Sequence, residues 1–234
     1  MYPQNYNNYG GGQEALDMRV SQVMRRVYLK MFLALLVTTA AAFVIGGIPN
    51  LTYFLATHTW VYWGLLIVEL VMVYSIAGGV KRMSSGTATG LFYLYALLNG
   101  VVFALIFTAY SFDSIFKTFL ITAGTFGAMS VYGYFTSNDL TKIGSFLYMA
   151  LFGLIICIVV NLFWANSTLD WIISAAGVLI FIGLTAYDTQ KVKEWAEAGA
   201  MVDGRLATIG ALTLYLDFIN LFLYLLRFFG NSRD

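Results

Sequence analysis

Seven apolar stretches dominate the chain, each long enough to cross a bilayer as a helix, with short polar or glycine-containing breaks between them. They run approximately over Tyr28–Ile48, Trp60–Val80, Ala88–Tyr110, Ser114–Phe135, Gly144–Trp164, Leu169–Asp188 and Ala207–Phe229. The third and fourth are split only by the polar patch around Ser111, Phe112 and Asp113. The seventh differs from the rest because it carries polar groups in its middle. Thr213, Asp217, Asn220, Tyr224 and Arg227 recur at intervals of 4, 3, 4 and 3, which places them on one narrow helical face while leucines and phenylalanines fill the remainder. A carboxylate at the centre of a lipid-facing helix costs at least about 2.5 kcal/mol, so this stripe is expected to face protein or a water path. The sixth stretch has a matching stripe of Ser174, Gly177, Phe181, Thr185 and Asp188. Two striped helices consecutive in sequence are expected to face each other, with Asp188 and Asp217 meeting in the inner half of the membrane. The alternative is that either acid acts as hydrogen-bonding glue between helices, or, for Asp188, as an interfacial charge at a helix end.

The flanks are polar. Residues 1–13 contain Asn, Tyr, Gly and Gln without charge or periodicity and read as a disordered tail. Glu14–Val27 places Leu16, Val20, Val23, Met24 and Val27 on one helical face, either as a helix lying in the membrane surface or as a solvated lead-in to the first span. The expected organisation is thus 1–27 as tail and possible interfacial helix, 28–230 as a seven-helix membrane domain, and 231–234 as a short C-terminal tail.

Composition supports an all-α integral membrane protein: 60% of residues are apolar and only 11% charged, more apolar surface than a soluble domain of this length needs. One cysteine, Cys157, excludes a disulfide framework, and one histidine, His58, excludes a bis-histidine haem site. A net charge of +1 offers no basic field for nucleic acid. No cofactor is indicated. Ten of the 13 basic residues fall in the breaks on one side of the seven crossings: Arg19, Arg25, Arg26, Lys30, Lys81, Arg82, Lys142, Lys191, Lys193 and Arg205. Positive residues stay cytoplasmic, so the N-terminus is expected inside and the C-terminus outside. With that orientation Asp217 lies about 15 Å into the membrane.

Glu69 is a third acid within a span and Arg227 lies near the outer end of the seventh, so the two are expected to pair in the outer half of the membrane. Lys81 and Arg82 sit at the cytoplasmic end of the second span, where either could reach toward Asp188. Gly124 and Gly127, with Ala123 and Ala128, are expected to give the fourth span a smooth face for close helix packing, and Gly144 and Gly153 to do the same for the fifth.

Ala186-Tyr187-Asp188 closing a sixth span, Leu214-Tyr215-Leu216-Asp217-Phe218-Ile219-Asn220-Leu221-Phe222, and Leu226-Arg227-Phe228-Phe229-Gly230 together resemble the Bax inhibitor-1 family, the transmembrane Bax inhibitor motif proteins. The resemblance covers residues 20–230. It implies a seven-helix bundle with the seventh helix central, and a calcium leak pathway closed by an aspartate pair that maps to Asp188 and Asp217. It also maps a buried acid and a late arginine to Glu69 and Arg227, and a latch arginine close to Val80, with Lys81 and Arg82 just beyond.

The chemistry fits that role. Two carboxylates at hydrogen-bonding distance share a proton and titrate as a unit. A shared proton ties the sixth and seventh helices together; its loss creates repulsion and a hard-oxygen site of the kind calcium prefers. Asp217, Asp188 and Glu69 would then be transient contacts on a calcium path, with Thr213, Asn220 and Tyr224 facing the pore and flux rising as the pair deprotonates. The expected setting is a bacterial inner membrane, with lipid, calcium ions and protons as partners. A regulatory membrane protein acting through a protein partner is the alternative. An intramembrane aspartyl protease is a distant third, because Leu214-Tyr215-Leu216 stands where that class has Gly-x-Gly and the only prolines are Pro3 and Pro49.

Overall fold

The computed structural model describes residues 8–201 and 203–230, the side chains of 8–11 and Asp203 excepted. Nine helices form among them: α1 (Asn8–Gly46), α2 (Pro49–Thr57), α3 (Thr59–Gly79), α4 (Ser85–Phe103), α5 (Ile106–Ala109), α6 (Phe112–Phe135), α7 (Thr141–Phe163), α8 (Ser167–Glu197) and α9 (Asp203–Phe229). Seven of these segments are long and apolar enough to cross a membrane: α1, α3, α4 with α5, α6, α7, α8 and α9. They correspond in order to the seven stretches of the sequence.

The polar breaks between spans are helix starts. Ser84, Ser111 and Asn166 are the N-caps of α4, α6 and α8, each side-chain oxygen accepting the backbone N–H three residues on, from Thr87, Ser114 and Leu169. Capping of this kind satisfies one of the orphan N–H groups that every helix start leaves. The Ser111–Asp113 patch is therefore a helix start that separates α4 and α5 from α6. Pro49 opens α2, a short helix between the first two spans that periodicity did not predict. At the other end of α8, Gly199 adopts φ of +62°, the left-handed conformation that glycine supplies after a helix terminus.

Two helices run further than expected. Asp188 does not end the sixth span: α8 continues nine residues to Glu197, so this acid is held within a continuous helix. Of the expected 1–13 tail, residues 1–7 lie outside the described residues, as do 231–234, and 8–13 are the first turns of α1. Glu14–Val27 forms one unbroken helix with the first span, with Asp17, Arg25 and Arg26 exposed. On its other side Val20, Val23, Met24 and Val27 are buried. Val27 and Val192 both stand against Gly210, at 3.0 and 2.8 Å from where a Cβ there would be, so α1, α8 and α9 meet at that glycine.

α9 is the axis of the bundle. In its most apolar window 72% of residues are buried, against 11% for α3 and for α7. It packs against α8, α1, α6 and α4. One face is anchored by Tyr215, whose hydroxyl shares a 2.6 Å hydrogen bond with Thr38 of α1; Thr38 in turn donates to the Ala96 carbonyl of α4. Phe92 and Tyr95 meet the Tyr215 ring edge-on. Lys30, entering the bundle from α1, donates to Thr89 and Thr208 at 2.7 Å each, bridging α4 and α9. The outward faces of α3 and α7 present Val68, Val71, Phe152 and Ile156, all exposed, a surface suited to acyl chains rather than water.

Candidate functional site

The polar stripes of α8 and α9 do face each other. Gly177 leaves room for the ring of Tyr224, since a Cβ there would lie 2.5 Å from ring carbons, and Phe181 stacks on the same ring at 5.7 Å between centroids. Further along the contact, Asp188 and Asp217 lie within hydrogen-bonding reach of each other. Each is only 4% exposed, and Oδ2 of Asp217 has no hydrogen-bond partner among the described residues.

A third helix completes the site. The Tyr148 hydroxyl of α7 lies 3.2 Å from both carboxylate oxygens of Asp188 and donates to them. Close approach of α7 depends on Gly144, one turn earlier, which lies directly against the ring of Tyr187. Tyr148 meets that ring edge-on at 6.0 Å, and Lys191, one turn beyond, donates to the Tyr187 hydroxyl at 3.0 Å. α6 closes the opposite flank: Gly133 lies against the backbone of Ala186, and Thr189 donates to Ser130 at 3.3 Å. The Tyr148 hydroxyl is the donor to this buried pair, and among the described residues no cation is bonded to either carboxylate.

Asp188 and Asp217 thus come together, whereas Glu69 and Arg227 do not. Arg227 forms an ion pair with Asp170 at the start of α8. Glu69 accepts from Asn99 of α4 at 3.4 Å, and Asn99 also contacts the Tyr95 hydroxyl at 3.4 Å. The reason is packing: α3 makes its broad contacts with α4 and α2, a cavity separates it from α9, and Arg227 continues the stripe that faces α8. Asp170 lies one turn before Ser174 on that stripe, a signal present in the sequence and missed. Tyr148 was missed too, although it lies four residues after Gly144 on the same face.

Lys81 and Arg82 are exposed, and neither side chain bonds either aspartate. The contact from their turn is made by backbone, the Lys81 carbonyl accepting from Arg205 of α9 at 2.5 Å. Glu69 is no third member of the aspartate site: among the described residues no group of three or more His, Cys, Asp or Glu side chains could hold a metal ion. The other stripe residues divide. Thr213 and Asn220 bond carbonyls of their own helix, Ile209 at 3.0 Å and Leu216 at 2.8 Å, and Asn220 borders the cavity toward α3. On the expected smooth face of the fourth span Ala123 packs against the core, but a Cβ at Gly124 or Gly127 would meet nothing within 4 Å, nor would one at Gly153; close approach occurs at Gly144, as expected, and at Gly133 and Gly177.

A family profile described as inhibitor of apoptosis-promoting Bax1 matches residues 20–234. The chain belongs to the Bax inhibitor-1 family. Among its relatives is the inner membrane protein YbhL of Escherichia coli K12, 42% identical over 217 residues that cover 90% of this chain and 92% of that protein. A Borreliella burgdorferi protein is also 42% identical over 217 residues, covering 92% and 94%. A Rickettsia prowazekii protein is 42% identical over 223 residues, covering 94% of each. Within the Bax inhibitor-1 family this chain is an integral membrane protein of the bacterial inner-membrane type, with seven helices able to span.

Proposed function

We propose that this Bax inhibitor-1 family member is a calcium leak channel whose opening is set by protonation of the Asp188–Asp217 pair. The observation that carries this reading is the meeting of two buried carboxylates from α8 and α9, with one Asp217 oxygen left unpartnered. A single proton between them binds α8 to α9. When it leaves, two like charges are held close together in a poorly solvated site, and the helices separate or admit a cation. The cation is cargo, drawn by hard carboxylate oxygens.

Tyr148 tunes the pair by orienting Asp188 from a third helix. Tyr215, bonded to Thr38 on the other face of α9, keeps that helix registered while its Asp217 face changes. Flux therefore rises with pH.

The test is calcium entry into dye-loaded proteoliposomes at pH 6, 7 and 8. The unaltered protein is expected to carry more calcium at pH 8 than at pH 6. Asp188→Asn and Asp217→Asn are expected to flatten that dependence. Flux no greater than in empty liposomes at every pH, or an unchanged pH profile in both variants, overturns the reading.

A further inference from the structure

A cavity of about 850 Å³ lies between α3, α4, α5 and the flank of α9 that carries Leu216, Ile219, Asn220 and Leu223, reaching Leu151 of α7. Most of its wall is apolar or aromatic, with Leu66, Leu70, Tyr62 and Trp63 among the residues that form it. Its polar centre is Glu69 with Asn99. Glu69 is 7% exposed and Asn99 5%, and Oε1 of the first and Oδ1 of the second have no hydrogen-bond partner among the described residues. Two buried acceptors left unmatched are costly, and each requires a donor. No residue lining the cavity is basic, so the protein supplies no countercharge there.

We propose that this cavity binds an organic ammonium ion carrying an alkyl chain, the ammonium at Glu69 and Asn99 and the chain along the apolar walls. An alkylammonium brings up to three N–H donors on one cation, which matches two orphan acceptors of which one is a carboxylate. Tyr62, Trp63 and Tyr95 also line the cavity, and aromatic rings attract cations. A bare divalent metal fits less well, because calcium takes six to eight oxygens and no cluster of ligating side chains is present among the described residues. The route in is lateral: α3 has its broad contacts with α4 and α2 and not with α7 or α9, so an amphiphile can pass from the bilayer between α3 and α7. This site does not rest on the calcium-leak reading, since neither Asp188 nor Asp217 lines the cavity.

Trp63 reports occupancy. In nanodiscs of zwitterionic lipid holding the full chain, quenching by 10-bromodecylamine is compared with quenching by 10-bromodecanol, and Trp63→Phe subtracts the signal of the other tryptophans. Saturable Trp63 quenching is expected, at a concentration at least tenfold lower for the amine, with unbrominated decylamine displacing it and decanol not. Glu69→Gln is expected to bring the two quenchers within threefold. Equal quenching by amine and alcohol in the unaltered protein overturns the proposal without reference to any variant. So does displacement of the amine by calcium chloride as effectively as by decylamine, which would make this a metal site.

Discussion

Gly133→Ala adds one methyl group at the contact between α6 and α8. A Cβ there would lie 2.8 Å from the Ala186 carbonyl carbon and 2.9 Å from its Cα, and closer still to its oxygen. Contact carbons prefer about 3.5–4.0 Å, so the two helices must separate by about 1 Å. The obstruction is backbone, which cannot rotate away as a side chain would. Overpacking of this kind costs about 1–3 kcal/mol, a shift of about 5- to 150-fold in the unfolding equilibrium. Gly124→Ala on the same helix is the internal control. Its new methyl meets nothing within 4 Å, and replacing a mid-helix glycine by alanine contributes up to about 1 kcal/mol of stability. The two substitutions are chemically identical and are expected to differ in sign. Reversible unfolding in lipid bicelles, followed by a conformational probe on α8, measures both. Gly133→Ala is also expected to disturb calcium flux, because Ala186 precedes Asp188 by two residues, whereas Gly124→Ala is not. Equal stability changes in the two variants would refute the packing argument.

Tyr148→Phe removes the donor shared by both Asp188 oxygens and is expected to cost about 1–3 kcal/mol in the same unfolding assay, with helix content unchanged by circular dichroism. A double-mutant cycle of Asp170→Asn and Arg227→Gln is expected to give a coupling of only about 0.2–1 kcal/mol that shrinks with added salt, since the side chains are 45% and 37% exposed; a salt-independent coupling above that range would contradict it. In the turn before α7, Asp139 accepts hydrogen bonds from Thr141, which hold its carboxyl below the ordinary value of 3.8. A carboxylate lowered on folding stabilises above its unfolded value and loses that contribution as pH falls through its folded one. The start of α7 should therefore become more open to amide hydrogen exchange as pH drops below about 4, after correction for the intrinsic exchange rate, and Asp139→Asn should remove that dependence.

The spans and the α8–α9 pairing were legible in the chain because the membrane makes polar residues expensive. Asp217 and Asp188 had to face inward, and their spacing with Thr213, Tyr224, Gly177 and Phe181 named the faces. The same reasoning failed for Glu69 and Arg227. A lone acid on an otherwise apolar helix reveals that it needs a partner but not which helix will supply it. α3 docks on α4, so Asn99 serves; the end of α9 runs beside α8, so Asp170 serves. Glycines misled for a related reason. Gly124 and Gly127 look like a packing face by composition, yet a glycine matters for close approach only where another backbone or ring comes near, as at Gly133, which was not expected, and at Gly144, which was.

Sequence alone determined what is local or one-dimensional: seven apolar segments, their stripes, and the two acids placed on facing stripes. Tertiary structure decided what depends on which surfaces meet. It extended α8 past Asp188, buried Val20, Val23, Met24 and Val27 against the bundle, brought Tyr148 onto the aspartate pair and opened the cavity around Glu69. The reason is that periodicity assigns a residue to a face of its own helix, whereas the partner of that face is set by helix packing, where small residues admit close approach and ring-bearing ones fill the gaps.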